Sequence, residues 1–400
     1  MRTDIPLLLA CCGAASALLV SSQGCTIITT TTPTDDGGTP QQDGGTPDDA
    51  ASEAETGIDA SVDFLPSNFD PSAVTTDGIG DVDVSGTEPC TLDTDQGTLV
   101  CANQATPFAI VTTPVNQGNQ TAMLFAFNSF KLDAGTTLTV QGTKPLIIYS
   151  LGAVEIDGTI DLAAHGGTEG AGGFHVSGPG EGHPGGLDNT NAEISGGSGA
   201  SFCGLGGGGA PLVGDGGTTS TPGASYGTAD LVPIWGGSAG GSHSASGYGG
   251  GAIQIVSKTS LNIASGGGIN VDGDGGDDHF TIGGGGGSGG SILLESLTVT
   301  IGGTLSANGG GGGDTSTPGA DGNFGSTPAA GGGTAGGAGS GGATTSGLNG
   351  STVGGDYGGG GGGAGRIRIN TSSGLASISG TVSPSLTTTC ATQGVVKPKP

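Results

Sequence analysis

The chain has 400 residues, of which 92 are glycine, 4% aromatic and 11% charged, with a formal net charge of −27 at pH 7. An ordinary globular domain carries about 7% Gly and about 25% charged residues, so one conventional core cannot account for the whole length. Eight Lys and Arg against 35 acids exclude a nucleic-acid-binding surface, and the glycines do not follow the strict three-residue spacing of collagen.

The N-terminus reads as an export signal over residues 1–24. Arg2 supplies a basic start, Ile5 to Val20 (IPLLLACCGAASALLV) an apolar stretch, and Ser21-Ser-Gln-Gly small residues before Cys25. This arrangement is similar to a lipoprotein processing site, which implies acylation of Cys25 and lipid anchoring at the outer membrane or cell surface. Leu8-Leu-Ala-Cys11 is a second match with a shorter apolar region. An uncleaved anchor, or cleavage elsewhere, is the alternative. No later stretch has the 18 apolar residues of a membrane span.

Residues 25–57 are expected to be a disordered acidic tether. Asp-Gly-Gly-Thr-Pro occurs twice, at Asp36 and Asp43, and from Cys25 to Phe130 there are 16 acids and no Lys or Arg. Residues 58–129 read as a small β-rich leading segment with short apolar runs at Leu99, Phe108 and Met123. Cys90 and Cys101 lie close enough to close a small disulfide loop, which leaves Cys203 and Cys390 as the residual pair. No Cys-x-x-Cys accompanies them, so a zinc site is not expected.

From 130 to 390 one unit recurs: three short alternating strands, a Gly corner between the second and third, then a glycine-rich excursion. The copies run Pro145–Ala164, Ala252–Val271, Ser291–Ala307 and Arg366–Val382. Val154 and Ile156 alternate with Glu155 and Asp157; Ile253 and Ile255 flank Gln254; Ile367 and Ile369 lie between Arg366, Arg368 and Asn370. Period-2 alternation buries one face, and a strand triplet too small for its own core must stack on its neighbours. The predicted fold is all-β: a right-handed parallel β-helix or solenoid, with a flat antiparallel sheet as runner-up. Asp157-Gly158 is the lone two-residue hairpin signal.

The excursions run from His165 to Gly251, Gly275 to Gly290 and Gly309 to Gly365. Thr219-STPGA and Thr315-STPGA point to an internal duplication of excursion plus rung. Glycine runs have two physical readings: flexible loops, or polyglycine-II-like strands whose missing side chains let backbones approach and hydrogen-bond laterally. Isolated aromatics, Phe174, Phe202, Tyr226, Trp235 and Tyr248 among them, are placed to plug such bundles. Residues 391–400 read as a disordered tail.

Runs such as Gly206-GGG and Gly358-GGGGG resemble, in composition, glycine-rich folds of some phage adhesins and of a receptor-kinase ectodomain. The tether, the Cys loop and the phrase from Gly135 to Gly167 together resemble glycine-rich surface lipoproteins of the myxobacterial type. That resemblance implies export and β architecture and supplies no reaction.

Chemistry-bearing clusters are few. Asp272, Asp274, Asp277 and Asp278 offer oxygens to Ca²⁺ in Val271-DGDGGDDH, yet the distal Glu of an EF-hand loop is missing, so a plain acidic turn is the first reading and Ca²⁺ the second. The five histidines sit in glycine-rich loops and read as solvated. Asp277-Asp278 is the candidate carboxylate pair of a polysaccharide-cleaving β-helix. The companion segments fail, however: Asn189-Thr-Asn191 lacks the acid, and Arg366-Ile-Arg368 lies at the opposite end of the chain. Arg366 and Arg368 read as outward strand charges. The sequence therefore favours a non-catalytic surface lipoprotein, structural or adhesive, with a glycan or cell-surface partner, no cofactor and no nucleic acid. A polysaccharide-binding or polysaccharide-degrading protein is the alternative.

Overall fold

The computed structural model describes residues 63–86, 89–102, 107–176, 178–185, 195–211, 219–241, 246–279 and 282–399, all within the unit Gly57–Pro400. The signal segment, Cys25 and the tether lie outside these residues. Among the described residues, no helix is long and apolar enough to cross a membrane.

The fold is all-β and is organised by three ladders of parallel strands. The first joins Thr121–Phe127, Leu146–Ser150, Ala252–Ile263, Ser291–Ile301, Arg366–Thr371 and Ala391–Val395. The second joins Asp81–Val84, Ser129–Leu132, Val154–Ile156, the far ends of the two long strands, and Ser377–Ile378. The third joins Cys90–Asp93, Thr137–Gln141, Thr159–Asp161, Gly268–Asn270, Thr304–Ser306 and Thr381–Ser383. Pairing between ladder strands is parallel, as the missing hairpin turns require. Antiparallel pairs among the described residues are mostly local, as in Cys90–Asp93 with Thr98–Cys101 and Val111–Asn116 with Thr121–Phe127; Phe64–Leu65 with Lys397–Pro398 is the long-range exception.

Alternation and register together make the core. Ile148, Ile255, Leu294 and Ile369 stand on neighbouring strands of the first ladder, with Leu132, Ile156, Ile263 and Ile301 on the second and Leu138, Ile160, Ile269 and Leu305 on the third. All belong to one buried apolar cluster. The corner at Gly158 is tight: a Cβ there would lie 2.3 Å from the Thr136 carbonyl oxygen, so Asp157-Gly158 is an inter-strand corner and not a hairpin.

The ladders extend beyond the sequence repeats at both ends. Strands within 81–127, read as a separate leading segment, pair in register with those that follow, because Val82, Val84, Cys90 and Leu92 keep the same buried alternation. The tail expected to be disordered from 391 is instead strand Ala391–Val395, and Lys397–Pro398 pairs with Phe64–Leu65. Its short apolar pattern, Ala391 and Val396 buried, escapes a periodicity reading.

The glycine-rich excursions are ordered side by side. Gly197 and Ala200 donate backbone hydrogen bonds to Gly283 and Gly286, Gly196 and Gly199 to Ala210 and Gly207, and Ser198 and Ser201 to His183 and Gly180. Gly359, Gly362 and Gly365 donate to Gly313, Gly310 and Ala307, while Gly358, Gly361 and Ala364 donate to Ser351, Leu348 and Thr345. Every third amide turns to the same neighbour, so one segment serves three. Three residues per turn is the period of polyproline II. The spacing leaves no room for side chains: a Cβ on Gly285 would sit 1.9 Å from the Ser198 carbonyl oxygen.

Candidate functional site

Two turns at one side of the ladders build an open groove. The first is the corner at 142–145. Asp95, in the hairpin turn after Cys90–Asp93, accepts from the Thr143 N–H at 2.9 Å, the Thr143 hydroxyl at 2.8 Å and Lys144 Nζ at 3.0 Å. Gly142 adopts φ 113°, and a Cβ there would meet Thr94 Oγ1 at 2.4 Å, which fixes glycine at this corner. The second is the turn at 165–168, closed by reciprocal backbone bonds between His165 and Thr168 at 3.0 Å. It presents His165, Thr168 and Glu169.

Between and beside these turns lie two adjoining hollows of about 380 and 290 Å³ that share Thr143 and Glu169. The larger is walled by Phe174 and Trp235, whose rings lie 6.1 Å apart at an interplanar angle of 26°. Phe174 is placed by backbone bonds to Gly237 and Gly249 in the glycine array. Trp235 closes the loop that starts at Tyr226; its carbonyl accepts from Ser291 Oγ at 2.6 Å. Inside that loop Leu231 is buried at φ 53° and its carbonyl accepts from Asn68 Nδ2 at 3.0 Å. His175, also at the groove, packs against Tyr248 with centroids 4.3 Å apart and the rings tilted by 36°.

The smaller hollow opens beside an acid–imidazole cluster. His165 Nδ1 lies 3.2 Å from Asp321 Oδ2 and its Nε2 lies 3.6 Å from Asp161 Oδ2. These two carboxylates, Asp161 foremost, push the imidazole pKa up to about 10, so it is a cation at neutral pH. Asp274 accepts from the Gly167 N–H at 3.0 Å and thereby holds the His165 turn. Burial, and then the neighbouring Asp321, push the Asp274 carboxyl up. Asp321 is held low by His165 and Asp274 against the upward effect of its own burial.

Of the predicted calcium ligands, Asp272 is fully buried, and its oxygens accept from Ser306 Oγ at 2.7 and 2.9 Å and from the Asn308 N–H at 2.5 Å. Burial raises its pKa to about 7. Asp277 and Asp278 are exposed further along the segment. Asp272, Asp274, Asp277 and Asp278 thus do not converge, and among the described residues no group of three His, Cys, Asp or Glu side chains is placed to hold a metal ion. Their shared segment is one of the three-residue-period strands, which turns successive side chains in different directions.

Both cysteine pairs are disulfides, Cys90–Cys101 and Cys203–Cys390. Two readings from sequence change. His165 is exposed, as expected of a loop histidine, but is also paired to two carboxylates, Asp161 four residues before it and Asp321 from a distant segment. Arg366 is not a free surface charge: it lies over the Phe202 ring at 5.8 Å and donates to the Tyr226 carbonyl at 3.2 and 3.3 Å. Arg368 likewise bonds Asn370 Oδ1 at 2.7 Å and Thr392 Oγ1 at 3.2 Å. Sequence reasoning grouped Phe174 and Trp235 with the aromatics that plug the array. Phe202 does so, buried with Leu231 and Ile234 and stacked on Tyr226 at 4.4 Å. Tyr226 and Trp235 both pack partly buried against that cluster, and Phe174 and Trp235 also keep part of their surface open to the groove.

No known protein family, curated protein or solved structure matches the chain.

Proposed function

We propose that the chain is a right-handed parallel β-helix carrying a polyglycine-II-like bundle, and that it works as a non-catalytic structural or adhesive module at the cell surface, held there by a lipid on Cys25. The observation that carries this reading is the three-residue periodicity of hydrogen bonding between glycine segments on top of in-register parallel ladders. Parallel crossovers in one sheet are right-handed in nearly all known cases, which supplies the hand. An array in which successive amides are bonded to different neighbours, with the segments lying against bare backbone, is rigid and offers faces of closely spaced backbone. That suits a load-bearing or contact surface better than a moving active site.

Polysaccharide cleavage is the competing reading. It rests on Asp277-Asp278, which are exposed and line neither hollow of the groove, while the carboxylates near His165 are committed to the imidazole and to backbone N–H groups. Incubating purified protein with a panel of polysaccharides tests both. Adhesion predicts retention on at least one immobilised glycan or cell surface with no new reducing ends and no unsaturated products. Product formation that vanishes in D277N/D278N would overturn the non-catalytic reading. Mass spectrometry of the N-terminal peptide tests Cys25: a diacylglyceryl-modified cysteine is expected, and a free serine or glutamine terminus would remove the lipid anchor.

A further inference from the structure

We propose that the groove between Trp235 and Glu169 binds a neutral oligosaccharide, the Phe174–Trp235 pair stacking on the apolar face of one pyranose ring and the Thr143–Glu169 end taking the next sugar. This rests on the adhesive reading above and assigns it a site.

A pyranose ring has a face of C–H bonds and a rim of hydroxyl groups, so it is best held by an aromatic surface edged with donors and acceptors. Here Phe174 and Trp235 lie near-parallel at 6.1 Å in a groove that also presents Asn119, Lys144, Glu169 and His175. Two hollows of about 380 and 290 Å³ in continuity, sharing Thr143 and Glu169, suit successive residues of a chain better than one compact ligand. The walls are rigid: the 142–145 corner is clamped by three bonds to Asp95, and Phe174 and Trp235 are anchored through backbone in the glycine array and to Ser291. Such preorganisation lowers the ordering cost of binding a flexible sugar chain.

Charge selects neutral sugars. Lys144 is already paired with Asp95, and His165 lies between Asp161 and Asp321, so both groove cations are neutralised. Glu169 shows no cationic partner among the described residues and would repel a uronate. The net charge of −27 adds to that repulsion.

Trp235 is the chain's single tryptophan, so its fluorescence reports on this groove alone. The full chain is titrated with neutral cello-, manno- and xylo-oligosaccharides and with oligogalacturonate. In parallel, retention on the matching polysaccharides is measured by affinity electrophoresis for the wild type, F174A and W235F. The expected result is a saturable shift of Trp235 emission with at least one neutral oligosaccharide and none with oligogalacturonate, together with at least a tenfold loss of retention in F174A and a smaller loss in W235F. Disulfide content and circular dichroism confirm that the variants fold; the wild-type titration stands without them. Retention of a glycan with unchanged Trp235 emission and unaffected variants would overturn the groove and leave the adhesive reading intact. Binding of oligogalacturonate alone would overturn the neutral specificity. If no glycan is retained while intact cells still are, the proposal fails and adhesion through another surface stands; if cells are not retained either, both fail.

Discussion

Ser67 and Glu295, 228 residues apart, meet through two hydrogen bonds: the Ser67 N–H and hydroxyl donate to the two carboxylate oxygens at 3.0 and 2.6 Å. Glu295 is fully buried on the outward side of the first ladder and also accepts from Gln254 at 2.6 Å and Asn370 at 3.1 Å. Its four donors come from the N-terminal strap and from strands on either side, so one carboxylate ties the beginning of the unit to its middle. Nearby, Asp63 pairs with Lys258 and Lys399, and Phe64–Leu65 pairs with Lys397–Pro398, so both ends of the unit are fastened to the same flank.

Replacing Glu295 by Gln keeps the shape but turns one acceptor into a donor facing donors. A buried hydrogen-bonding group left unmatched costs about 1–3 kcal/mol. E295Q is expected to lose that much in urea unfolding and to expose the strap at 63–74 to limited proteolysis. Wild-type stability together with wild-type protection would show that the carboxylate is not the fastening.

The ladders were readable because their signal is local. Ile253-Gln-Ile255 and Ile367-Arg-Ile369 declare an inside and an outside within three residues, and stacking follows from the number of copies. The groove was not readable, because its parts are brought together by the excursions: His165 and Asp321 are 156 residues apart, with only glycine-rich chain and other rungs between them. Glycine runs carry no side-chain pattern, so which segment lies beside which is decided by backbone hydrogen bonding that sequence does not encode residue by residue. The same reason hid the roles of Arg366 and Arg368. Their outward alternation was correct, but what covers them is a loop folded back from Tyr226.

The array predicts a sharp contrast between glycines. Gly285→Ala places a methyl group 1.9 Å from the Ser198 carbonyl oxygen, where backbone on both sides must move. Gly325→Ala meets only the Asn323 side chain at 3.2 Å, at a φ that other residues adopt. G285A is therefore expected to destabilise by at least the 1–3 kcal/mol typical of overpacking, and G325A to stay within about 1 kcal/mol of wild type. Equal denaturation midpoints for the two variants would mean that the glycine segments are not packed against one another.

The two disulfides close loops of very different length, with sequence separations of 11 and 187. In the chain-entropy account, the shorter contributes about 3 kcal/mol and the longer about 5 kcal/mol. The longer also joins the glycine array at Cys203 to the last ladder strands at Cys390. C203S/C390S is expected to lose more stability than C90S/C101S by about 2 kcal/mol in denaturant titrations under oxidising conditions. A larger loss in C90S/C101S would contradict loop closure as the main effect.

Acid should first strengthen this fold and only later weaken it. Asp272 has a folded pKa near 7, raised by burial, and Asp274 is raised by burial and by Asp321. In the unfolded chain both titrate near 4. Between those values the folded state binds protons that the unfolded state does not, so stability falls as pH rises from about 4 to 7, by up to about 1.4 kcal/mol per pH unit for each such group. His165 acts at the other end: its raised pKa gives stability that is complete below about 6.5 and is lost as pH climbs towards 10. Asp321 and Asp63, both lowered to about 2 by their cationic partners and hydrogen bonds, contribute above pH 4 and lose that contribution on further acidification. The combined profile peaks near pH 4–5, below the usual neutral optimum. Asp272→Asn retains an acceptor for the Asn308 N–H and supplies a donor to Ser306 without a titrating proton, so it should flatten the fall between pH 4 and 7 and gain on wild type as pH rises. Urea midpoints at pH 4.5, 6 and 7.5 measure this directly. A wild-type midpoint that rises across the series would show that Asp272 ionises without cost and is not enclosed as described.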